Sequence, residues 1–239
     1  VLVGAEALIR WFRPEQEAVL PSKFIPIAET SGLIVDIGEW VLYESCRQCR
    51  RWYDQGHDYL KIAVNLSCIQ FRRGDLESIV MSALEHVNLP PSALELELTE
   101  YLLIDDSNNV KAQIQRLRES GISIAIDDFG TGYSNLGYLH KFEIETLKID
   151  QSFVLNMCEL KEDEAIVRAI LQIAQSLGLK TVAEGVENQE TLALLKSLSC
   201  DYYQGFFGSE PLDGDKFSAY LNSYSPPLKA ISPIIEPVA

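Results

Sequence analysis

The sequence predicts a parallel β/α barrel, and three observations support this fold class. Short apolar runs rich in Val, Ile and Leu alternate with longer amphipathic segments, which is typical of parallel strands joined by helical crossovers. The length of 239 residues suits a barrel of ordinary size. No G-x-G-x-x-G motif follows the first strand, which disfavours the alternative of an open, doubly wound sheet.

Seven strands and seven helices follow from the hydrophobic periodicity. The strands are expected at Val3–Ile9, Lys61–Leu66, Leu94–Thr99, Ser123–Asp127, Thr146–Ile149, Lys180–Ala183 and Asp201–Gln204. The helices are expected at Ser22–Glu29, Glu39–Tyr53, Leu76–Val87, Asn109–Ser120, Asp163–Leu177, Gln189–Ser199 and Asp215–Asn222. A closed barrel needs eight strands, so we expect one further strand before Val1.

Charge and cysteine content exclude several classes of protein. The formal net charge of −15 argues against binding polymeric nucleic acid, which requires many Lys and Arg side chains. A small phosphate ligand remains compatible with this charge if metal ions bridge the like charges. Five cysteines at irregular spacing predict a reducing compartment, and we interpret Cys46 and Cys49 as plain helix residues. Three scattered histidines disfavour a His-based zinc site.

Two further features concern organisation and location. No apolar run approaches the ~20 residues of a membrane span, so we expect a cytoplasmic protein or the cytoplasmic domain of a membrane-anchored one. Four prolines after residue 222 predict an extended tail or linker. We therefore divide the chain into a barrel over residues 1–222 and a Pro-rich tail over residues 223–239.

Acidic and amide side chains recur at the carboxyl ends of the predicted strands, where active sites of β/α barrels form. The eight carboxylates are Glu6, Glu97, Glu100, Asp127, Asp128, Asp150, Glu184 and Glu187, and the amides are Asn65 and Gln204. A structural network of ion pairs is the alternative explanation, but Lys148 is the only lysine at these ends and Arg10 alone adds to it. Hard divalent cations such as magnesium, manganese or calcium can balance this charge. The adjacent Asp127 and Asp128 suit a two-metal site.

The ordered motifs resemble those of EAL domains, a family named after the tripeptide seen here as Glu6-Ala7-Leu8. The matching segments are Gly4-Ala5-Glu6-Ala7-Leu8-Ile9-Arg10-Trp11, Asn65-Leu66-Ser67, Glu97-Leu98-Thr99-Glu100, Asp127-Asp128-Phe129-Gly130-Thr131-Gly132, Leu147-Lys148-Ile149-Asp150, Ala183-Glu184-Gly185-Val186-Glu187 and Gln204-Gly205-Phe206. The resemblance runs from Val3 to about Leu212. It implies a modified (β/α)8 barrel of the TIM type, whose first strand runs antiparallel and is missing from this chain.

The resemblance also implies an activity and a role for each motif residue. EAL enzymes hydrolyse the bacterial second messenger cyclic di-GMP to linear pGpG with Mg²⁺ or Mn²⁺, and we expect two ions. By resemblance, Glu6, Asn65, Glu97 and Asp127 hold one ion, and Asp127 and Asp128 hold the second. Glu184 and Lys148 position or activate the attacking water, and Glu100 and Glu187 anchor the loop after Asp128. The substrate contacts are expected at Arg10, Leu8, Gln204 and Asp150.

Departures from the family pattern leave other readings open. A Tyr-Gln-Pro strand that normally contacts substrate is absent, and Gln151, Gly208 and Glu210 replace residue types common in the family. The main alternative is a catalytically silent receptor for cyclic di-GMP, although the motif acids are all present. A barrel hydrolase of other phosphoesters is a third reading.

The resemblance further suggests partners. A sensor or GGDEF domain fused upstream is expected by analogy with the family. A homodimer could form through Leu136, Tyr138, Leu139 and Phe142, although ordinary barrel packing explains these apolar residues equally well.

Overall fold

The computed structural model describes residues 1–13, 18–73, 75–104, 108–132, 139, 142–224, 232–235 and 237–238. Its centre is a closed barrel of eight strands in the order β1-β2-β3-β4-β5-β6-β7-β9. The barrel strands are β1 (Gly4–Ala7), β2 (Lys61–Leu66), β3 (Leu94–Thr99), β4 (Ser123–Phe129), β5 (Thr146–Ile149), β6 (Lys180–Ala183), β7 (Tyr202–Gln204) and β9 (Ser232–Ile235). A separate pair joins β8 (Leu212–Asp213) to β10 (Pro237–Val238).

Helices surround this barrel. They are α1 (Pro21–Ser31), α2 (Ile34–Asp54), α3 (Cys68–Arg73), α4 (Leu76–Val87), α5 (Glu100–Ile104), α6 (Asn108–Glu119), α7 (Gln151–Val154), α8 (Lys161–Leu177), α9 (Gln189–Ser197) and α10 (Gly214–Ser223), with a 3-10 turn at Pro91–Ala93. Neighbouring helices also pack against each other, since Trp52 of α2 meets Phe217 of α10 with ring centroids 4.6 Å apart. None of the helices in the described part combines the length and apolar character that a membrane span requires.

The predicted barrel is confirmed, and β2, β3, β5 and β6 have the predicted bounds. The eighth strand of the barrel differs from the prediction, which was an antiparallel strand before Val1. Ser232–Ile235 lies between β7 and β1 and runs parallel to both. These residues belong to the segment predicted as a tail, and long-range strand pairing of this kind leaves no local signal in a Pro-rich sequence. The domain boundary at residue 222 stays a prediction.

Side chains alternate between the inside and outside of the barrel, and the register decides which ones meet. Glu6 pairs in register with Ala63, and Asn65 pairs with Glu97. Near their carboxyl ends the strands therefore bring polar side chains into the barrel interior, while residues between them, such as Val64 and Leu96, are fully buried among apolar side chains outside it. The barrel thus has an apolar outer layer and a charged inner one.

Two interpretations made from the sequence can be compared with the packing. Leu139 and Phe142 are buried in the main hydrophobic core of the barrel. Their apolar character is therefore explained by barrel packing and not by a dimer interface. Leu136 and Tyr138 lie outside the described residues. Cys46 and Cys49 are fully buried free thiols on α2, in agreement with their interpretation as plain helix residues.

Thiol reactivity tests this packing. Burial raises the pKa of Cys46 and Cys49 to about 12 and that of Cys200 to about 11. Because the thiolate is the reactive form, these three should resist a thiol reagent in the native protein at neutral pH. Cys158 is exposed and should react first, with the half-buried Cys68 following.

The measurement is spectrophotometric titration with an aromatic disulfide, with and without denaturant. Five thiols should react in denaturant, and no more than two rapidly in its absence. Rapid native reaction of a third thiol would contradict the packing of α2 or of the β6–β7 region.

Candidate metal centre

Lys148, from β5, lies at the centre of the charged inner layer. Its Nζ atom is 2.8 Å from Glu184 Oε1, 2.9 Å from Glu97 Oε2, 3.1 Å from Glu6 Oε2 and 3.2 Å from Asp127 Oδ1. The lysine side chain is only 1% exposed. Four carboxylates from β1, β3, β4 and the end of β6 therefore share one buried ammonium group. Negative charge is in excess, which is costly in a buried environment unless further cations are present.

Two amides orient one of these carboxylates. Asn65 donates from Nδ2 to Glu6 Oε1 at 2.5 Å, and Gln204 donates from Nε2 to Glu6 Oε2 at 2.7 Å. Hydrogen bonds to an ionised carboxylate favour the charged form. Burial alone would raise the pKa of Glu6, but Lys148, Gln204 and Asn65 together lower it below its usual value. Glu6 is thus held as a carboxylate.

A bulge in β4 explains how Asp127 and Asp128 reach the same site. Successive side chains of a regular strand point to opposite faces. Here the register with β5 shifts between Ile126 and Phe129, and Asp128 has a φ of 54° in the left-handed region. Bulges re-aim side chains in this way and occur next to active sites. The Asp128 backbone N–H also donates to Asp127 Oδ1 at 3.0 Å, which fixes the turn.

The acids form two overlapping groups that have the geometry of metal ligands. Glu6, Glu97 and Asp127 each offer an oxygen atom within 4.8 Å of the others, and so do Asp127, Asp128 and Glu184. Asp127 belongs to both groups. The first group is buried, whereas Asp128 is exposed and Glu184 partly so. The arrangement runs from the barrel interior to its open mouth.

The pKa values reflect the shortage of positive charge. Burial and the neighbouring Glu6 hold the pKa of Glu97 well above its usual value, although Lys148 acts in the opposite direction. Burial raises the pKa of Glu184 to about 8, and burial with Asp127 raises that of Asp128 to about 6. Burial disfavours the charged form of Lys148, but the surrounding carboxylates, Glu184 foremost, raise its pKa well above its usual value.

Glu100 and Glu187, the two acids expected to anchor the loop after Asp128, differ in their burial and contacts. Glu100 is buried, and its Oε2 accepts from the Gly130 backbone N–H at 3.2 Å, while its Oε1 has no hydrogen-bond partner among the described residues. A Cβ atom on Gly132 would lie 3.3 Å from the same carboxylate. Glu187 is exposed and forms no hydrogen bond or ion pair with any residue that the structure describes. The structure thus brings Glu100 to the described part of this loop, while residues 133–138 lie outside the described residues and the role of Glu187 stays a prediction.

The remaining predicted residues lie around the mouth of the barrel. Asp150 caps α7 by accepting from the Ser152 N–H at 3.0 Å, and it also contacts Asp128. Leu8 and Asn65 line a mainly apolar cavity of about 300 Å³ between α1, α2 and the ends of β1 and β2. Arg10 is half-buried and donates to its neighbouring carbonyl at Ile9.

Sequence reasoning missed a polar layer behind Asn65. Ser67 donates from Oγ to Glu29 Oε1 at 2.5 Å, and the Ser67 N–H donates to the buried Gln70 Oε1 at 2.9 Å. The signal available in the sequence was the spacing Ser67-x-x-Gln70 directly after a strand, which is typical of a local cap at a helix start.

Fold and site together define a β/α-barrel protein with a buried acid cluster suited to divalent cations. Comparison with known proteins identifies the family. The profile described as the EAL domain matches residues 1–211, and the chain belongs to this family.

Relatives and solved structures agree with this assignment. The chain is 44% identical over 218 residues to the bifunctional diguanylate cyclase/cyclic di-GMP phosphodiesterase MucR of Pseudomonas aeruginosa, covering 91% of this chain and 32% of MucR. It is 40% identical over 231 residues to the cyclic di-GMP phosphodiesterase NbdA of the same organism, covering 95% of this chain and 30% of NbdA. The structure of the PaMucR phosphodiesterase in complex with c-di-GMP superposes with a TM-score of 0.87 at 44% identity, covering 90% of this chain and 87% of that one. The chain thus spans about a third of the length of these two curated relatives.

The position of Lys148 leads to a stability prediction. Replacing Lys148 with Met leaves four carboxylates without their buried cation, so Lys148→Met should lower the free energy of unfolding by about 3–5 kcal/mol in chelator. The matched control is Lys180→Met, because the Lys180 side chain is 60% exposed and its Nζ atom lies 2.8 Å from Asp201. That exposed pair should contribute about 0–1 kcal/mol. Urea denaturation measures both changes, and equal losses in the two variants would contradict the central role of Lys148.

Proposed function

We propose that the protein hydrolyses cyclic di-GMP to linear pGpG with the help of two divalent cations, Mg²⁺ or Mn²⁺. The observation that carries this proposal is the pair of acid groups that share Asp127, with Lys148 between them. Similarity to the cyclic di-GMP phosphodiesterases MucR and NbdA supports the substrate, as does similarity to the c-di-GMP complex of the PaMucR phosphodiesterase.

The donor set fits such ions. Carboxylate and amide oxygens are the ligands that Mg²⁺ and Mn²⁺ prefer, and the buried acids exceed the available positive charge. Glu6, Asn65, Glu97 and Asp127 would hold one ion, and Asp127 with Asp128 would hold the second. When bound, such ions lower the pKa of water and offset charge on phosphoryl oxygens.

Formal charges suggest that metal and substrate bind together. Glu6, Glu97, Asp127, Asp128 and Glu184 carry five negative charges when ionised. Lys148 and two divalent ions carry five positive charges, so the site becomes neutral only with both ions present. A dianionic substrate should therefore bind weakly to the metal-free protein.

Glu184 and Lys148 have distinct roles in the proposed reaction. Water attacks phosphorus, the bond to the ribose 3′-oxygen breaks, and this oxygen takes up a proton from solvent. Glu184 lies at the barrel mouth and is positioned to orient the water and accept its proton. Lys148 is held by four carboxylates and offsets the growing charge on the phosphoryl group.

Other residues would bind the substrate or hold the site together. We assign substrate contacts to Arg10, Leu8, Gln204 and Asp150. Leu8 offers an apolar surface beside Asn65 for a guanine ring. Glu100 would hold the loop after Asp128, and we retain Glu187 only as a candidate for the same task.

We also propose partners beyond the substrate. Since MucR and NbdA are about three times as long as the matched region, a fused sensor or GGDEF domain is proposed for this chain. A homodimer stays a prediction that rests on Leu136 and Tyr138.

Incubation with cyclic di-GMP tests the proposed activity. The wild type with Mg²⁺ should yield pGpG, and a chelator should abolish product. Glu97→Gln keeps the size of a buried ligand but removes its charge, so the rate should fall by more than about 100-fold, the upper range for residues that merely support ligands. Glu162→Gln is the control, because Glu162 is exposed on α8. Chromatography resolves the nucleotides.

The outcomes separate the enzyme from its alternative. No product, with cyclic di-GMP still bound in calorimetry, would favour a receptor. Product in excess chelator, or equal activity of Glu97→Gln, would contradict the metal centre.

Metal binding should stabilise the fold. Ions that bind only the folded state at about 100 times their dissociation constant contribute about 2.7 kcal/mol, which corresponds to a Tm increase of about 5–10 °C for a chain of this size. Differential scanning calorimetry with and without Mn²⁺ measures the shift. The Glu97→Gln variant should lose most of it, and an unchanged Tm in the wild type would refute the prediction.

A further inference from the structure

Gln70 is a buried polar side chain for which the proposed reaction has no task. It lies on α3, directly after the strand that carries Asn65, and is only 4% exposed. Its Oε1 accepts from the Ser67 backbone N–H at 2.9 Å. Burying an amide costs free energy unless it is hydrogen-bonded, and an apolar side chain of the same length would fill the space at lower cost. The contact with Ser67 is therefore the feature that distinguishes Gln70 from a packing residue.

Gly38 makes room for this amide. It lies inside the long helix α2, where glycine is less favourable than alanine by about 0.5–1 kcal/mol. A Cβ atom at position 38 would lie 2.1 Å from Gln70 Nε2 and 2.6 Å from its Cδ. Any larger residue must displace the Gln70 amide group, which also lines the cavity of about 300 Å³ beside it. The helix thus leaves a slot that the amide group of Gln70 occupies.

Ser67, which directly follows β2, connects the Gln70 amide group to the end of this strand. Besides its bond to Gln70, Ser67 donates from Oγ to Glu29 at 2.5 Å, and its Oγ accepts from the Ile69 N–H at 3.3 Å. Ser67 is thereby held by Glu29 of α1 through its Oγ atom, and by Gln70 and Ile69 of the following helix α3 through its N–H and its Oγ. Asn65 precedes it by two residues and is bonded to Glu6. Because Leu66 between them is buried, a shift of Ser67 would be transmitted to Asn65.

We propose that Gln70, seated in the slot left by Gly38, is a positioning residue that fixes the direction in which β2 presents Asn65 to Glu6 and the metal centre. This inference rests on the proposed function, because it takes Asn65 as a metal ligand. Side chains that support ligands typically change metal affinity by about 10–100-fold when they are replaced.

Two variants test the proposal from opposite sides. Gln70→Met keeps the length and volume of the side chain but removes the acceptor for the Ser67 N–H. Gly38→Ala leaves Gln70 in the sequence but fills its slot. The matched control is Gln113→Met, because Gln113 on α6 is equally buried and donates to the Phe71 carbonyl at 3.1 Å, further from Asn65 on the same segment.

Two readouts separate positioning from general destabilisation. Calorimetry gives the Mn²⁺ dissociation constant, and the urea midpoint of each metal-free variant gives its stability. The side-chain amide resonance of Asn65 in the ¹H–¹⁵N spectrum, assigned by its loss in Asn65→Asp, reports the bond to Glu6 without metal or substrate.

The expected result is a shifted Asn65 resonance in Gln70→Met and Gly38→Ala, with Mn²⁺ affinity at least about 10-fold weaker. Gln113→Met should leave both close to wild type even if its urea midpoint falls. An unchanged Asn65 resonance in Gln70→Met would overturn the proposal, and so would an equal shift in Gln113→Met. A wild type that binds no Mn²⁺ would instead count against the proposed function, while the metal-free spectra would still decide whether Gln70 positions Asn65.

Discussion

An excess of buried negative charge around a single lysine is the constraint on which the rest of the structure depends. Lys148 lies within 3.2 Å of four carboxylates, and all five groups come from the carboxyl ends of barrel strands. Such a cluster destabilises the fold unless each carboxylate is held by hydrogen bonds, the lysine or bound cations. The amides of Asn65 and Gln204, which both donate to Glu6, meet this requirement for one of the four carboxylates.

Much of the fold was predictable because parallel strands buried on both faces leave continuous apolar runs. The bounds of β2, β3, β5 and β6 follow from such runs. The short helices α3, α5 and α7 were missed because four to six residues show no helical period. The strand at Ser232–Ile235 was also missed, since Pro233 and its neighbours predict extended chain and only distant pairing partners make it a strand.

For the site, residue types at strand ends predicted which side chains converge, but not how. Barrel closure brings Lys148 into contact with four carboxylates at once, those of Glu6, Glu97, Asp127 and Glu184. No local sequence pattern predicts this arrangement. The bulge that aims Asp127 and Asp128 together depends on a positive φ at Asp128, an uncommon conformation for a residue other than glycine. Gln70 and Gly38 lie far apart in sequence, and their fit is visible only in three dimensions.

The order of strands has a consequence for how the molecule assembles. Glu6 on β1 and Gln204 on β7 are 198 residues apart, and their hydrogen bond spans the closing strand β9, since Gly4 and Gln204 both pair with Ile234. Contacts between such distant residues close long loops, and the entropy of closing these loops must be offset before the contacts stabilise the fold. A partly folded chain therefore has the individual acids but not the cluster. Divalent cations bound by the cluster would therefore favour the closed barrel over partly folded chains.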